Sequence, residues 1–291
     1  MDINGNTKIV GLFGDPVGHS LSPAMFNAAF RAKKMNYCYL PFAVRRAALP
    51  AAVSAITSLD LKGVNVTAPH KEAVIPYLDG LSGDAGLLQA VNTINNEQGR
   101  LVGYNTDVDG FFYLLRTAWD ALPADTKAIL LGAGGAAGAV SLALAEAGIK
   151  SLLIVNRTLG RAEKLAALLM DAGVFAQGKV ETAKLQRNFQ WKQSGNDGGD
   201  ALVVNALSAD PAELGFLTGD NPRVWGGGTA IDLRYSAAQA PFAGWAENHG
   251  MRAVNGLDML LGQGVKAFEI FTGETAPLPA MREALQNAGT I

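Results

Sequence analysis

Residues 128–148 read AILLGAGGAAGAVSLALAEAG, and the way this stretch divides decides the fold. Taken whole, Ala128 to Ala145 carries no charge and approaches the length of a membrane-crossing helix. The glycines at its centre divide it differently. AILL is a short apolar strand, and an alanine-rich helix follows, with Lys127 and Glu146 at the flanks. Gly132, Gly134 and Ala137 then match G-x-G-x-x-G/A between a strand and a helix, the context in which that motif carries information. Its physical content is a tight turn at Gly132, close approach of the backbone to a pyrophosphate at Gly134, and a helix N-terminus whose unpaired amides receive phosphate. The competing reading is an ordinary strand, turn and helix that need small residues for packing.

Beyond this stretch the alternation continues through SLLIVNRT (151–158), RAEKLAALLMDAG (161–173), DALVVNAL (200–207) and TAIDL (229–233), the rhythm of a dinucleotide-binding domain. Polar, glycine-rich loops at SGNDGGD (194–200) and WGGGT (225–229) interrupt it. Before it lies a second alternating series: KIVGLF (8–13), a helix from about Pro23, YCYLPF (37–42), a helix through LPAAVSAITSL (49–59), and GVNV (63–66). AVNTI and LVGY flank the turn-rich NNEQG (95–99) as a hairpin, VDGFFYLLRTAW (108–119) is a helix, and DALPADT (120–126) is a linker. GLDMLLGQGVKAFEIFTG (256–273) and REALQNAG (282–289) are helical, and spacing leaves open which half they complete. The expected fold is therefore α/β in two domains: an N-terminal one with a mostly parallel sheet and a C-terminal Rossmann-like one.

The 291 residues suit two domains. Hydrophobic residues are 49% and charged ones 17%, the balance of a packed soluble protein. With 24 basic and 26 acidic residues, net charge −2, the chain has no general attraction to nucleic acid or anionic membrane, so any anion site is local. Cys38, the single cysteine, excludes an intramolecular disulfide and a multi-cysteine zinc site. No metal is required. MDINGNTK has neither a basic n-region nor an apolar h-region, and the expectation is a cytoplasmic protein.

In NAD-binding versions of the motif an acidic residue about 20 residues past the glycines holds the ribose 2′-hydroxyl. Here Asn156, Arg157, Thr158 and Arg161 supply two guanidinium groups, a hydroxyl and an amide, suited to a 2′-phosphate that a carboxylate would repel. NADP is expected over NAD. The alternative is a solvated basic helix start, which opposes the helix dipole.

Three further stretches are each ambiguous alone. In GHSLSP, Ser22 before Pro23 is an ordinary helix N-cap, or Ser20 and Ser22 together receive a carboxylate. In NVTAPHK, Asn65, Thr67 and Lys71 project from the carboxyl edge of a sheet, or the run is a strand end followed by a helix with Pro69 at its first position. His19 reads as structural and His70 as a surface or satisfied residue. AVNT and NTD offer amides, hydroxyls and Asp107, and are also good turn sequences.

In this order, SLSP, NVTAPHK, AVNT, NTD, GAGGAA, NRT and GLDMLLGQ resemble the shikimate dehydrogenase family over nearly the whole chain. The resemblance implies a substrate domain over 1–107 completed by terminal helices 256–291, and an NADP domain over 108–255. It implies Ser20 and Ser22 as ligands of the shikimate carboxylate, and Asn65, Thr67, Asn92 and Asp107 as ligands of the ring hydroxyls. Lys71 and Asp107 would be the catalytic pair, with Gln263 and Tyr235 also on substrate. On the cofactor side it implies Gly132, Ala133, Gly134, Gly135 and Ala136, then Asn156, Arg157, Thr158 and Arg161, with Leu233, Gly256 and Met259 near the nicotinamide. Two departures stand out. Gly138 replaces a basic residue common in relatives, and RYSAAQAP (234–241) lacks a common Thr-Pro pair.

The reaction so implied interconverts 3-dehydroshikimate and shikimate with NADP, in aromatic amino-acid biosynthesis. Reducing a ketone creates an alkoxide that needs a proton, and a lysine fits that role. Paralogues acting on quinate or an aminoshikimate are the nearest alternatives; a non-catalytic NADP-binding regulatory protein is a third. Two domains around a site imply a cleft that opens and closes. The expected assembly is a monomer or homodimer, with no nucleic acid or membrane partner.

Overall fold

Apolar runs form the strands, and helices cover both faces of each sheet they build. The computed structural model describes residues 3–119, 126–185, 201–207, 228–235 and 241–288. Contacts divide the chain into two units, Met1–Gly110 with Leu260–Ile291, and Phe111–Met259.

The first unit opens with β1 (Lys8–Gly14), α1 (Ser22–Ala32), β2 (Tyr37–Ala43), α2 (Leu49–Ser58) and β3 (Gly63–Val66), the alternation expected from the sequence. Next come β4 (Gly80–Leu81), α3 (Gly83–Leu88), β5 (Thr93–Glu97), β6 (Arg100–Tyr104) and α4 (Asp107–Ala118), whose first turn belongs to this unit. Among the described residues the sheet has six strands, ordered β2-β1-β3-β5-β6-β4. Only β5 runs antiparallel, to both β3 and β6; the other pairings are parallel. The carboxyl ends of β1, β3 and β6 and the amino end of β5 therefore share one edge. On one face Phe13, Val53, Ile56, Val64, Val66 and Ile94 form a core under α2, each large side chain contributing about 1.5–3 kcal/mol by leaving water.

Two local expectations change. The hairpin is present, but β5 extends through Asn95 and Asn96, and the turn shrinks to Gln98–Gly99. No α-helix starts at Pro69. Residues 67–78 make a run of turns with a single 3₁₀ turn over Ile75–Tyr77. Val74 donates its amide to the His70 carbonyl at 3.0 Å, one helical step, but Pro76 has no amide to continue the ladder.

The second unit holds β7 (Lys127–Leu131), α5 (Ala137–Glu146), β8 (Leu152–Asn156), α6 (Leu159–Asp171), β9 (Val180–Lys184), β10 (Ala201–Asn205), β11 (Gly228–Asp232), α7 (Pro241–Asn248) and β12 (Arg252–Asn255). Its sheet is wholly parallel, ordered β12-β11-β10-β7-β8-β9. Counted from its own first strand, that is the Rossmann order, which reverses between β7 and β10 and opens a crevice at their carboxyl ends. β8 is buried throughout, as a strand covered on both faces must be. Ile129, Leu131, Leu153, Val155 and Val203 pack with Phe242 and Trp245 of α7.

Through α8 (Leu257–Thr272) the chain returns to the first unit, where α9 (Leu278–Ala288) packs on α1. Phe268 and Phe271 of α8 join Phe26 and Phe30 of α1 in an aromatic cluster on the sheet's second face. No helix among the described residues is long and apolar enough to cross a membrane, and Ala128–Ala145 is split between β7 and α5. The loop at 194–200, the linker residues 120–125 and residues 225–227 and 236–240 lie outside the described residues.

Candidate active site

On the shared edge of the first sheet, β3 carries Asn65 one residue before its end, the turn before β5 supplies Asn92, and the turn after β6 supplies Asp107 as the first residue of α4. Lys71 comes from the turns after β3, its carbonyl accepting the Val91 amide at 2.8 Å. The Lys71 ammonium donates to Oδ2 of Asp107, with the two side chains 18% and 8% exposed. Asn92 Nδ2 donates to the other oxygen, Oδ1, at 2.8 Å. Asp107 also lends its amide to Asn105 Oδ1 at 3.2 Å, while Asn105 Nδ2 donates to the Ala90 carbonyl at 2.9 Å. A carboxylate on the first turn of α4 is favoured by the helix dipole. The NTD and AVNT stretches thus do both things proposed for them: they turn the chain and they aim polar groups at one another.

Asn92 is saturated. Its Oδ1 accepts the Thr106 amide at 2.8 Å and the Thr93 hydroxyl at 3.1 Å, and its Nδ2 also reaches Thr106 Oγ1 at 3.0 Å. Asn65 donates to Thr93 Oγ1 at 2.9 Å and to the Asn92 carbonyl at 3.3 Å, and accepts from the phenol of Tyr39 at 2.9 Å. Tyr39 is a member of this network that the sequence reading did not mention, and Thr93 and Thr106 are members whose hydroxyls it noted without assigning them to the site. For the threonines the repeated Asn-Thr pair was the available signal; Tyr39 sat unmarked in an apolar strand.

The loop from β1 to α1 reaches the same edge, since the Thr67 amide donates to the Phe13 carbonyl at 2.9 Å and Asp15 to Ala68 at 3.1 Å. Ser22 is not the N-cap of α1. That position falls to Leu21 with no side-chain cap, and Ser20 Oγ accepts the Ser22 amide at 3.2 Å. The Ser22 and Thr67 hydroxyls have no hydrogen-bond partner among the described residues. Gln263 is buried on α8, with Nε2 on the Leu260 carbonyl at 2.8 Å. His19 is exposed. His70 is fully buried, so the surface reading of it is wrong; Nε2 donates to the Val44 carbonyl at 2.6 Å and Nδ1 has no partner among the described residues.

In the second unit the turn after β7 occupies the crevice. Gly132 takes φ +114, and a Cβ there would meet the Ala206 backbone at 3.1 Å. Only glycine fits both constraints. Ala133, Gly134, Gly135 and Ala136 lead into α5, whose N-terminus has no side-chain cap; the Ala137 amide donates back to the Gly134 carbonyl at 3.0 Å. Asn156 is buried rather than presented: Oδ1 accepts the Ala133 amide at 3.3 Å and Nδ2 donates to the Thr158 carbonyl at 2.8 Å, tying the two turns together. Arg157, Thr158 and Arg161 are exposed, and among the described residues neither arginine is paired with a carboxylate. An uncapped helix start, a turn made only of glycines and alanines and two uncommitted guanidinium groups at the end of β8 fit a dinucleotide carrying a 2′-phosphate.

At the ends of β11 and β12, Leu233 and Gly256 abut; a Cβ on Gly256 would overlap the Leu233 carbonyl, whose carbon would be 2.6 Å away. Met259 is buried on α8. Arg234, in the loop lacking the Thr-Pro pair, folds back on Asp232 with NH2 to Oδ2 at 2.7 Å, and Asp232 also accepts from buried Asn205 at 3.1 Å. Burial pushes the pKa of the Tyr235 phenol up, keeping it a hydrogen-bond donor at working pH.

Family models match along the chain in three places. The shikimate dehydrogenase substrate binding domain covers residues 12–94, shikimate/quinate 5-dehydrogenase covers 117–184, and the shikimate 5′-dehydrogenase C-terminal domain covers 256–286. The shikimate dehydrogenase (NADP(+)) of Desulforamulus reducens is 41% identical over 288 residues, 97% of this chain and 96% of that one. Among solved structures, a shikimate dehydrogenase in complex with NADP+ aligns with TM-score 0.83 at 33% identity, covering 98% of this chain and 97% of that one. The Thermus thermophilus enzyme in complex with NADP(H) and shikimate aligns with TM-score 0.78 at 32% identity, covering 97% and 99%. With this identity sustained over nearly its full length, and the fold and ordered motifs in agreement, the chain belongs to the shikimate dehydrogenase family.

Proposed function

We propose that this chain catalyses the reversible, NADP-dependent interconversion of 3-dehydroshikimate and shikimate in aromatic amino-acid biosynthesis. The observation that carries the reading is the Lys71–Asp107 ion pair, held on its second oxygen by Asn92, at the open edge of the first sheet. The first unit takes the ring acid and the second the dinucleotide. Ser20 and Ser22 at the start of α1 receive the carboxylate, with Ser22 offering an uncommitted hydroxyl. Asn65, Thr67 and Asp107 meet the ring hydroxyls, Asn92 joins them by exchanging one of its present protein partners, and Gln263 and Tyr235 complete the substrate contacts. The turn 132–136, Asn156, Arg157, Thr158, Arg161, Leu233, Gly256 and Met259 hold NADP, which supplies or accepts the hydride.

The residues have simple work to do. Lys71, charged and partly shielded from water, places a proton beside the ketone oxygen as negative charge develops there. Asp107 holds and aims the ammonium, and Asn92 keeps Asp107 from turning away. In the oxidative direction the neutral Lys71 amine takes the hydroxyl proton and becomes the ammonium. Alignment of the ring by the serine hydroxyls and Thr67 turns binding into rate. The lone cysteine, a buried free thiol, suits the reducing cytoplasm.

The family model shared with quinate enzymes favours one second reading, a quinate/shikimate paralogue; the presence of both Lys71 and Asp107 argues against a non-catalytic regulator. Initial rates with shikimate and quinate, each with NADP and NAD, test the proposal. The highest kcat/KM is expected for shikimate with NADP. Preference for quinate, or nucleotide binding without turnover of either acid, would replace it.

A further inference from the structure

Tyr39 is 1% exposed and has a polar atom that the proposed chemistry does not use. Three contacts fix where its hydroxyl points. Its ring stacks on Phe26 of α1 at 4.5 Å between centroids and 17° between planes. Its peptide is bracketed by Asn27 of the same helix, which donates to the Tyr39 carbonyl at 3.0 Å and accepts its amide at 2.9 Å. On the edge strand β2 this side-chain amide stands in for a neighbouring strand. The phenol is thus held from α1 and cannot follow Asn65 if Asn65 moves.

From that fixed point the donor and acceptor roles can be read in sequence. The Asn92 carbonyl can only accept, so the NH₂ of Asn65 faces it at 3.3 Å, and Oδ1 of Asn65 must face Tyr39, whose hydroxyl donates. The second Asn65 proton goes to Thr93 Oγ1, and the Thr93 proton goes to Asn92 Oδ1 at 3.1 Å, nearer than Thr106 Oγ1 at 3.4 Å. The Thr106 amide can only donate, so it holds the same Oδ1, and Nδ2 of Asn92 is turned toward Asp107. Each link has one sense. Resting on the reading of Lys71 and Asp107 as the reacting pair, we propose that Tyr39 is a positioning residue for that pair, acting through a one-way hydrogen-bond relay, Tyr39 to Asn65 to Thr93 to Asn92 to Asp107. With both Asn65 protons spent inside the relay, Asn65 can offer a ring hydroxyl only its oxygen.

The relay predicts effects at a distance that a merely structural tyrosine would not produce. Tyr39→Phe keeps the ring and its stacking and removes only the hydroxyl. It is expected to lower kcat/KM for shikimate about tenfold, the loss of one hydrogen bond's worth of alignment, while KM for NADP stays within about twofold. Thr93→Val should produce a similar loss and Thr93→Ser should restore it. The double variant Tyr39→Phe/Thr93→Val should lose no more than about twofold beyond the worse single, because both break one chain. Independently of turnover, side-chain amide NMR should show the Asn92 NH₂ resonances shifting in Tyr39→Phe, three hydrogen bonds along the relay. Losses that multiply, or unmoved Asn92 resonances in a folded Tyr39→Phe protein, would overturn the relay. If the wild-type protein turns over no ring acid, the functional reading falls and the Asn92 resonances alone decide the relay.

Discussion

Lys71 and Asp107, 36 residues apart in sequence, meet as an ion pair between the turns after β3 and the first turn of α4. Nearly all of the carboxylate's environment is protein: Lys71 on one oxygen, Asn92 on the other, and an amide link back to Asn105. A pair this shielded is costly to break from one side, because the surviving charge is left without a partner.

Asp107→Asn tests that dependence. Stability is expected to fall by on the order of 3 kcal/mol, as for other ion pairs broken from one side in a shielded site, read as a lower urea midpoint. Shikimate turnover should fall about a hundredfold as the lysine loses its orientation. Unchanged turnover would remove Asp107 from the machinery.

Arg157→Ala/Arg161→Ala separates the two nicotinamide cofactors. Hydrogen bonds to charged groups are worth about 1.5–3 kcal/mol each, so KM for NADP should rise at least about tenfold while KM for NAD stays within about threefold. Added salt should weaken NADP binding by the wild-type protein more than by the variant. Equal losses for both cofactors would mean that the arginines do not hold the 2′-phosphate.

Gly256→Ala probes the close approach of the ends of β11 and β12. Its Cβ would fall on the Leu233 backbone, which cannot swing aside as a side chain would. The expected cost is about 1–3 kcal/mol of stability, the range for overpacking, with weaker NADP binding. Wild-type stability in the variant would contradict the packing described.

Asp109, two residues beyond Asp107, carries a pKa raised first by burial and then by Asp84, against the lowering effect of Lys266 at 3.6 Å. A carboxyl whose folded pKa exceeds its unfolded value binds its proton more readily when folded, so its contribution to stability falls as pH rises through that interval. Asp109→Asn is therefore expected to raise Tm at neutral pH. The advantage should fade as pH drops below the ordinary aspartate value of 3.8. A variant less stable than wild type at pH 7 would show that the Lys266 pair outweighs burial.

Much of the architecture was legible in the sequence because parallel strands buried on both faces leave continuous apolar runs, such as AILL and LLIV. Elements without that mark were not read. β9 (VETAK) and β12 (RAVN) lie at the two edges of their sheet with few apolar positions, and β4 is two residues long. The helix expected at Pro69 failed because Pro76 stops propagation, a veto that lies downstream of the motif that suggested it. In the candidate site, polar residues at strand ends were legible, since open sheets present ligands there. Orientation was not. Asn156 turns inward to tie two loops, and His70 is fully buried although it follows an exposed proline. Tyr39 looked like another core aromatic of β2 until the register brought its hydroxyl to Asn65.

The central claim is that Lys71 moves the proton, and kcat for shikimate oxidation by Lys71→Ala tests it most directly, with shikimate binding measured separately in the same variant. The account predicts a loss of about 10²-fold or more, the range of acid-base catalysis, with binding changed far less. A loss under about tenfold would contradict it and leave Lys71 as a binding residue only.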